Sequence, residues 1–343
     1  MTTKIEWTDE TFNPLRARNL ETNQIGWHCE HVSEGCRNCY AEQRNRGFFQ
    51  LGTRLPYNRQ SRDKVEIFLD EDVLVQPLRW KKPRRVFVCS MTDLFGQFHS
   101  DEMIDRVFAV MSLAPHLTFQ VLTKRADRML AYLTKKSRLG IGPGVWNDIA
   151  WAGGNVTGDF CYRKGKDLRP EYDSMMERVG QIDANKIWPL PNVWAGTSIE
   201  DQKTADERIP FLLRTPAAVR FISVEPLLGP IQLPPFCGDS QHRHSGRCSI
   251  YSRLHWVIVG GESGPHARPM HPDWARKIRD DCEAAGVPFF FKQNGEFVSV
   301  SEVEGEGAHY HFPDGATVRR VGKKAAGRKL DGREHNDMPQ ARR

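Results

Sequence analysis

Val219-Arg-Phe-Ile-Ser-Val224, followed by Glu225-Pro-Leu-Leu-Gly229, is the stretch on which the fold turns. A short apolar run ends in an acid and a turn. The same grammar recurs along the chain: Val86-Phe-Val-Cys89, Phe119-Gln-Val-Leu122, Asn192-Val-Trp-Ala-Gly-Thr-Ser198, Trp256-Val-Ile-Val259 and Pro288-Phe-Phe-Phe-Lys292. Runs without polar alternation suit parallel strands covered on both faces. Amphipathic stretches separate them. Asp101 to Leu113 puts Ile104, Val107, Phe108 and Met111 on one side, with Ser100 as N-cap, and Ser198 to Leu213 and Asp273 to Ala285 read alike. Strand–helix alternation predicts an α/β fold with a parallel sheet. Polar residues gather just after nearly every strand, which favours a partial or complete (β/α) barrel with its working face at the strand C-termini.

Two segments interrupt the repeat, 135–190 and 232–254, and both read as insertions. The expected organisation is a barrel over 1–300 and a basic C-terminal extension over 301–343. The chain has 343 residues, with 49 Lys and Arg against 43 Asp and Glu. The excess of +6 lies wholly beyond Gly315, where nine basic residues face three acids, so residues 1–314 balance. Such a tail reads either as a nucleic-acid contact or as a solvated extension. No run approaches the ~18 apolar residues of a membrane span, and the N-terminus has no apolar signal-peptide core, so a cytoplasmic protein without membrane contact is expected. Eight dispersed cysteines then favour free thiols or metal ligands over disulfides.

The sharpest chemical feature is Cys29-Glu-His-Val-Ser-Glu-Gly-Cys36-Arg-Asn-Cys39-Tyr-Ala-Glu42. Three thiolates on one loop can hold three irons of a [4Fe–4S] cluster and leave the fourth iron open. The alternative is a zinc knuckle, with His28 or His31 as fourth ligand. Cys237, His242, His244 and Cys248 have the residue types for a second, zinc site, at a spacing that fits no standard finger.

Ile5-Glu-Trp-Thr, Phe12-Asn-Pro and Val32-Ser-Glu-Gly-Cys-Arg-Asn-Cys-Tyr-Ala-Glu42 are followed in order by Cys89-Ser-Met-Thr-Asp-Leu-Phe95, Leu122-Thr-Lys-Arg125, Trp194 to Gln202, Ser223 to Gly229, Trp256 to Gly264 and Phe291-Lys-Gln-Asn-Gly295. With these motifs the chain resembles the phage and bacterial radical-SAM-like proteins that carry a three-cysteine motif, a family similar at a distance to spore photoproduct lyase. It departs from the commonest radical SAM pattern in three ways. The first cysteine spacing is six residues, Asn38 rather than an aromatic precedes the third cysteine, and about fourteen residues, Leu15 to His28, are extra.

The resemblance implies a barrel of the radical SAM type. It implies a [4Fe–4S] cluster on Cys29, Cys36 and Cys39, S-adenosylmethionine as cofactor, and an electron donor such as flavodoxin or ferredoxin. Ser90, Thr92 and Asp93 would meet the methionine ammonium, Thr123 and Lys124 its carboxylate, and Ser198 the ribose. Glu225 and Glu262 are substrate or ribose candidates. Cys89 reads either as a hydrogen-atom donor or as a small buried hydrophobe. Gly260-Gly261-Glu262 matches a methionine-binding motif of that superfamily but follows about the sixth strand instead of the second, which points to a different use. The expected substrate is nucleic acid, in repair or base modification. The alternatives are a peptide or small molecule, or a zinc-stabilised nucleic-acid-binding protein without catalysis.

Overall fold

Each apolar run becomes a strand, and the strands are laid down in sequence. The computed structural model describes residues 3, 5–47, 52–139, 144–163, 188–233 and 253–340. These divide into two compact units, Met1–His31 with Ala41–Ala195 and Arg214–Ala218, and Val32–Tyr40 with Gly196–Leu213 and Val219–Arg343.

In the first unit β1 (Glu10–Phe12) is followed by a small antiparallel sheet of β2 (Leu15–Asn19), β3 (Ile25–Gly26) and, after α1 (Tyr40–Arg46), β4 (Val65–Leu69), ordered β3-β2-β4. The extra residues 15–28 are thus a hairpin paired with β4. After α2 (Glu71–Leu74), β5 (Arg85–Val88) pairs parallel with β1, Phe12 opposite Val88. Next come α3 (Asp101–Leu113), β6 (Thr118–Thr123), α4 (Ala126–Thr134) and α5 (Val145–Arg163). Ser100 caps α3 through the Met103 amide at 3.3 Å, and Ile104, Val107, Phe108 and Met111 are buried. The segment 135–190 is not wholly an excursion. Its α5 packs on α3 and buries Trp146, Ile149 and Val156. These apolar residues recur at helical spacing, so this stretch joins the helical layer.

The chain passes between the units within β7 (Val193–Ile199), every residue of which is buried. In the second unit α6 (Gln202–Arg214), β8 (Val219–Val224), β9 (Trp256–Gly260), α7 (Pro272–Ala285) and β10 (Phe289–Gln293) continue the alternation. β8 and β10 both pair parallel with β9. The main sheet has the order β1-β5-β6-β7-β8-β9-β10. Each strand lies beside its predecessor, the winding of a (β/α) barrel, and β1 and β10 are its edges, so the barrel is partial.

Residues beyond 297 form β11 (Phe297–Ser299), β12 (His309–His311) and β13 (Thr317–Arg320) in the antiparallel order β11-β13-β12, then α8 (Lys323–Ala326). The final stretch lies along β10. Phe291 N donates to His335 O at 3.0 Å, Asp337 N to Phe289 O at 3.2 Å, and Trp256 Nε1 to Asp337 O at 2.8 Å. Leu330 is buried. The basic extension therefore covers a sheet edge that would otherwise present unpaired backbone, and it is not simply solvated. No described helix is long and apolar enough to cross a membrane.

Candidate functional site

At the C-terminal end of β5 the backbone makes its turn on a non-glycine residue. Cys89 has φ 56°, in the left-handed region that L residues avoid, and its amide donates to Phe12 O at 2.8 Å. Its thiol is buried. Burial first, then the nearby Asp93, pushes its pKa up, which keeps it a neutral S–H. Of the next residues, Thr92 fastens the stretch that carries Cys29, and Ser90 and Met91 are held by Asn13 and Tyr57. Thr92 Oγ1 donates to His28 O at 2.5 Å, Ser90 Oγ bonds Asn13 at 3.2 Å, and the Tyr57 hydroxyl donates to Met91 O at 2.7 Å.

Asp93 is the hub of this end. One carboxylate oxygen accepts from Thr123 Oγ1 (2.6 Å) and the Phe95 amide (3.0 Å). The other accepts from the Lys124 amide (3.0 Å) and Arg125 Nη1 (3.0 Å). Arg125 also donates through Nη2 to Glu30 O at 3.0 Å. Burial works against the Arg125 charge, yet Asp93 and the adjacent Cys29 sulfur hold its pKa above the usual value. A guanidinium beside Cys29 favours the thiolate, the form that ligates metal.

In the second unit Cys36 and Cys39 lie on one tight turn. Cys36 N donates to Ser33 O at 2.9 Å and Cys39 N to Cys36 O at 3.2 Å. Two strand ends grip this turn. After β7, Glu200 accepts from Ser33 Oγ at 3.0 Å, and its Cγ occupies the space next to Gly35, where an added Cβ would lie 2.4 Å away. Arg208 holds Glu200 at 3.2 Å and donates to Ser198 O at 2.7 Å. After β9, Glu262 accepts from Asn38 Nδ2 (3.0 Å) and from Arg268 Nε (2.9 Å) and Nη2 (2.7 Å). Arg268 Nη2 also donates to Glu34 O at 2.9 Å. Burial raises the Glu262 pKa, but the bonds from Arg268 and Asn38 outweigh it and hold the carboxyl below its ordinary value.

The glycines before Glu262 have steric work. A Cβ on Gly261 would lie 2.0 Å from Asn294 O, and one on Gly260 3.2 Å from Glu225 Oε1. Glu225 pairs with Lys292 Nζ at 2.7 Å, joining the ends of β8 and β10.

A family model described as a protein of unknown function, DUF5131, matches residues 2–339. The chain belongs to the DUF5131 family. No curated protein and no solved structure matches it.

In this DUF5131 protein Cys29, Cys36, Cys39 and Cys89 are free thiols. The described residues contain no group of three His, Cys, Asp or Glu side chains gathered for a single metal ion. Of the two histidines that could complete a zinc knuckle, His31 turns to Glu42 at 2.7 Å and His28 lies edge-on to Phe98. Cys237, His242, His244 and Cys248 lie outside the described residues.

The DUF5131 fold brings Ser90, Thr92, Asp93, Thr123 and Lys124 together at the ends of β5 and β6. It places Ser198, Glu225 and Glu262 after β7, β8 and β9. Most of them are already bonded to neighbours, and Thr92, Asp93 (through Arg125) and Glu262 are bonded to the cysteine segment. Sequence reading passed over Arg125, Glu200, Arg208 and Arg268. Arg125 and Glu200 sit inside quoted motifs, one residue past Lys124 and two past Ser198. Arg268 follows Glu262 by six residues with no local signal.

Proposed function

We propose that this protein is a radical S-adenosylmethionine enzyme whose [4Fe–4S] cluster is held by Cys29, Cys36 and Cys39, and whose substrate is a nucleic acid. The observation that supports it is that, within each unit, the cysteine-bearing segment is bonded to residues that follow strand C-termini, where such barrels do chemistry. Arg125 and Asp93 hold the stretch of Cys29, and Glu200 and Glu262 hold the turn of Cys36 and Cys39. The donor set fits a cluster: three free thiols, one of them beside a guanidinium. Cys29, Cys36 and Cys39 would hold the cluster, which would relay an electron from an external donor to S-adenosylmethionine and so supply hydrogen-abstraction chemistry.

The chain's own residues orient and enclose. Arg125 steadies the Cys29 sulfur and the Glu30 carbonyl. Asn38, Glu262 and Arg268 fix the turn of Cys36 and Cys39, and Asn38 thereby takes on a structural duty at the position where an aromatic is usual. Cys89 keeps its proton at any physiological pH and can give up a hydrogen atom. Glu225 and Lys292 present an acceptor and a donor side by side at the strand ends.

Anaerobic purification tests the reading. Brown protein with about four irons, lost in the Cys29, Cys36 and Cys39 triple Ala variant, together with 5′-deoxyadenosine on reduction with S-adenosylmethionine, is expected. Colourless protein carrying zinc would establish the non-catalytic reading instead.

A further inference from the structure

Residues 44–64 carry five arginines and one lysine against a single acid, Asp63, an excess that the balanced count over 1–314 conceals. Arg44, Arg46, Arg54, Arg59 and Lys64 are exposed. Among these, within the described residues, Arg46 alone has a carboxylate partner, Glu42 at 3.7 Å.

The fold gathers them on one support. Asn45 is fully buried, and its carbonyl accepts from the Arg54 amide at 3.0 Å. Its side chain donates to Thr53 Oγ1 at 2.8 Å and Leu55 O at 3.1 Å, and accepts from the Trp27 amide at 2.9 Å. Asn58 caps the turn of Arg59–Lys64 through the Ser61 amide at 2.9 Å. Tyr57 O accepts from His31 N at 3.2 Å. Trp27 and His31 flank Cys29, so the basic segment is built onto the first cysteine's own stretch of chain. Arg54 has φ 61°, a conformation in which glycine would be relaxed. An exposed guanidinium is held there regardless.

From this we infer that the exposed arginines of residues 44–64 are a docking surface for the phosphate backbone of a nucleic acid. The inference rests on the nucleic-acid reading above and moves the contact away from the C-terminal tail. Exposed cations without carboxylate partners keep their full charge for a polyanion. Arginine dominates the set, and its planar fork matches pairs of phosphate oxygens. Two of the tail's basic residues are already engaged, while Lys323 and Lys324 are exposed and serve as the contrast in the test below. Arg319 is buried, and Arg320 Nη2 donates to Pro265 O at 2.7 Å, so both are occupied in holding the C-terminal sheet.

Fluorescence anisotropy with labelled single- and double-stranded oligonucleotides, across a salt series, tests this. The Arg44→Gln, Arg54→Gly, Arg59→Gln variant should bind more weakly, with the log–log salt slope shallower by about 2–3, since each phosphate left without its cation takes about 0.7–0.9 from the slope. Lys323→Gln with Lys324→Gln should leave the slope unchanged. Arg54→Gly alone should keep or raise the melting temperature while weakening binding, which a structural role for Arg54 would not produce. The inference is overturned if the wild type binds no oligonucleotide, if the triple variant keeps the wild-type slope, or if only the tail variant loses affinity. It is overturned too if the triple variant loses reduction by an acidic electron carrier and retains oligonucleotide binding. Binding needs no cluster. Colourless protein that binds through these arginines would sink the radical reading alone, iron-loaded protein whose triple variant keeps the wild-type affinity and slope would sink this inference alone, and iron-loaded protein indifferent to oligonucleotides would sink it together with the nucleic-acid substrate.

Discussion

Asn38, between the second and third cysteines, donates its side-chain amide to Glu262 at 3.0 Å across 224 residues of sequence. The same carboxylate takes Arg268, so one acid after β9 ties both Asn38 and Arg268 to the cysteine turn. Glu262→Gln should cost about 1–3 kcal/mol at neutral pH, because it removes the charge from a set of buried bonds. The folded pKa lies below the ordinary 4.5, so the stabilisation is fully present above 4.5 and lost as pH falls through the lowered value. Urea midpoints of wild type and variant should differ at neutral pH and converge in acid. A constant gap would disprove the assignment.

Asp93 and Arg125 form a second anchor, an ion pair at 3.0 Å with side chains only 9% and 10% exposed. Removing one partner strands the other charge. Asp93→Ala should cost about 3–5 kcal/mol. Adding Arg125→Met should return part of that loss, since a buried pair replaced by apolar groups is often near neutral. A double variant no more stable than Asp93→Ala in thermal melts would show that the pair is not the hub described.

Two glycines should respond in opposite directions to alanine. Gly261→Ala forces a Cβ to 2.0 Å from the Asn294 carbonyl and should cost about 1–3 kcal/mol or more. Gly154, within α5, has nothing within 4 Å of an added Cβ. Gly154→Ala should stabilise by about 0.5–1 kcal/mol. Denaturant midpoints measure both, and equal shifts would contradict the packing described.

His99 supplies an acid sensitivity. Burial pushes its pKa down to about 3 from 6.5, against the smaller pull of the Leu94 carbonyl. The unfolded chain takes up a proton below 6.5 that the folded chain refuses until near 3. The stability His99 contributes is therefore complete above pH 6.5 and falls from there toward 3, by up to about 1.4 kcal/mol per pH unit. His99→Asn should flatten this part of the pH–stability curve. Identical curves would mean that His99 does not cause the acid loss.

The strands and most helices could be read from the order of residues, because burial on both faces demands continuous apolar runs and burial on one demands helical spacing. Val219–Val224 and α3 were legible for that reason, and so were the three clustered cysteines, since their spacing is local. What surrounds those cysteines came from folding alone. Asp93 serves Thr123 and Arg125, Glu262 serves Asn38 and Arg268, and Gly261 yields to Asn294. These pairings join residues up to hundreds of positions apart, and no local periodicity encodes which strand ends will meet. The charges behaved the same way. Net charge put the basic excess in the tail, but folding occupies Arg319 and Arg320 with backbone carbonyls and leaves Arg44, Arg54 and Arg59 facing water. A charge acts on a partner only where it is exposed and uncompensated, and exposure is a property of the folded chain.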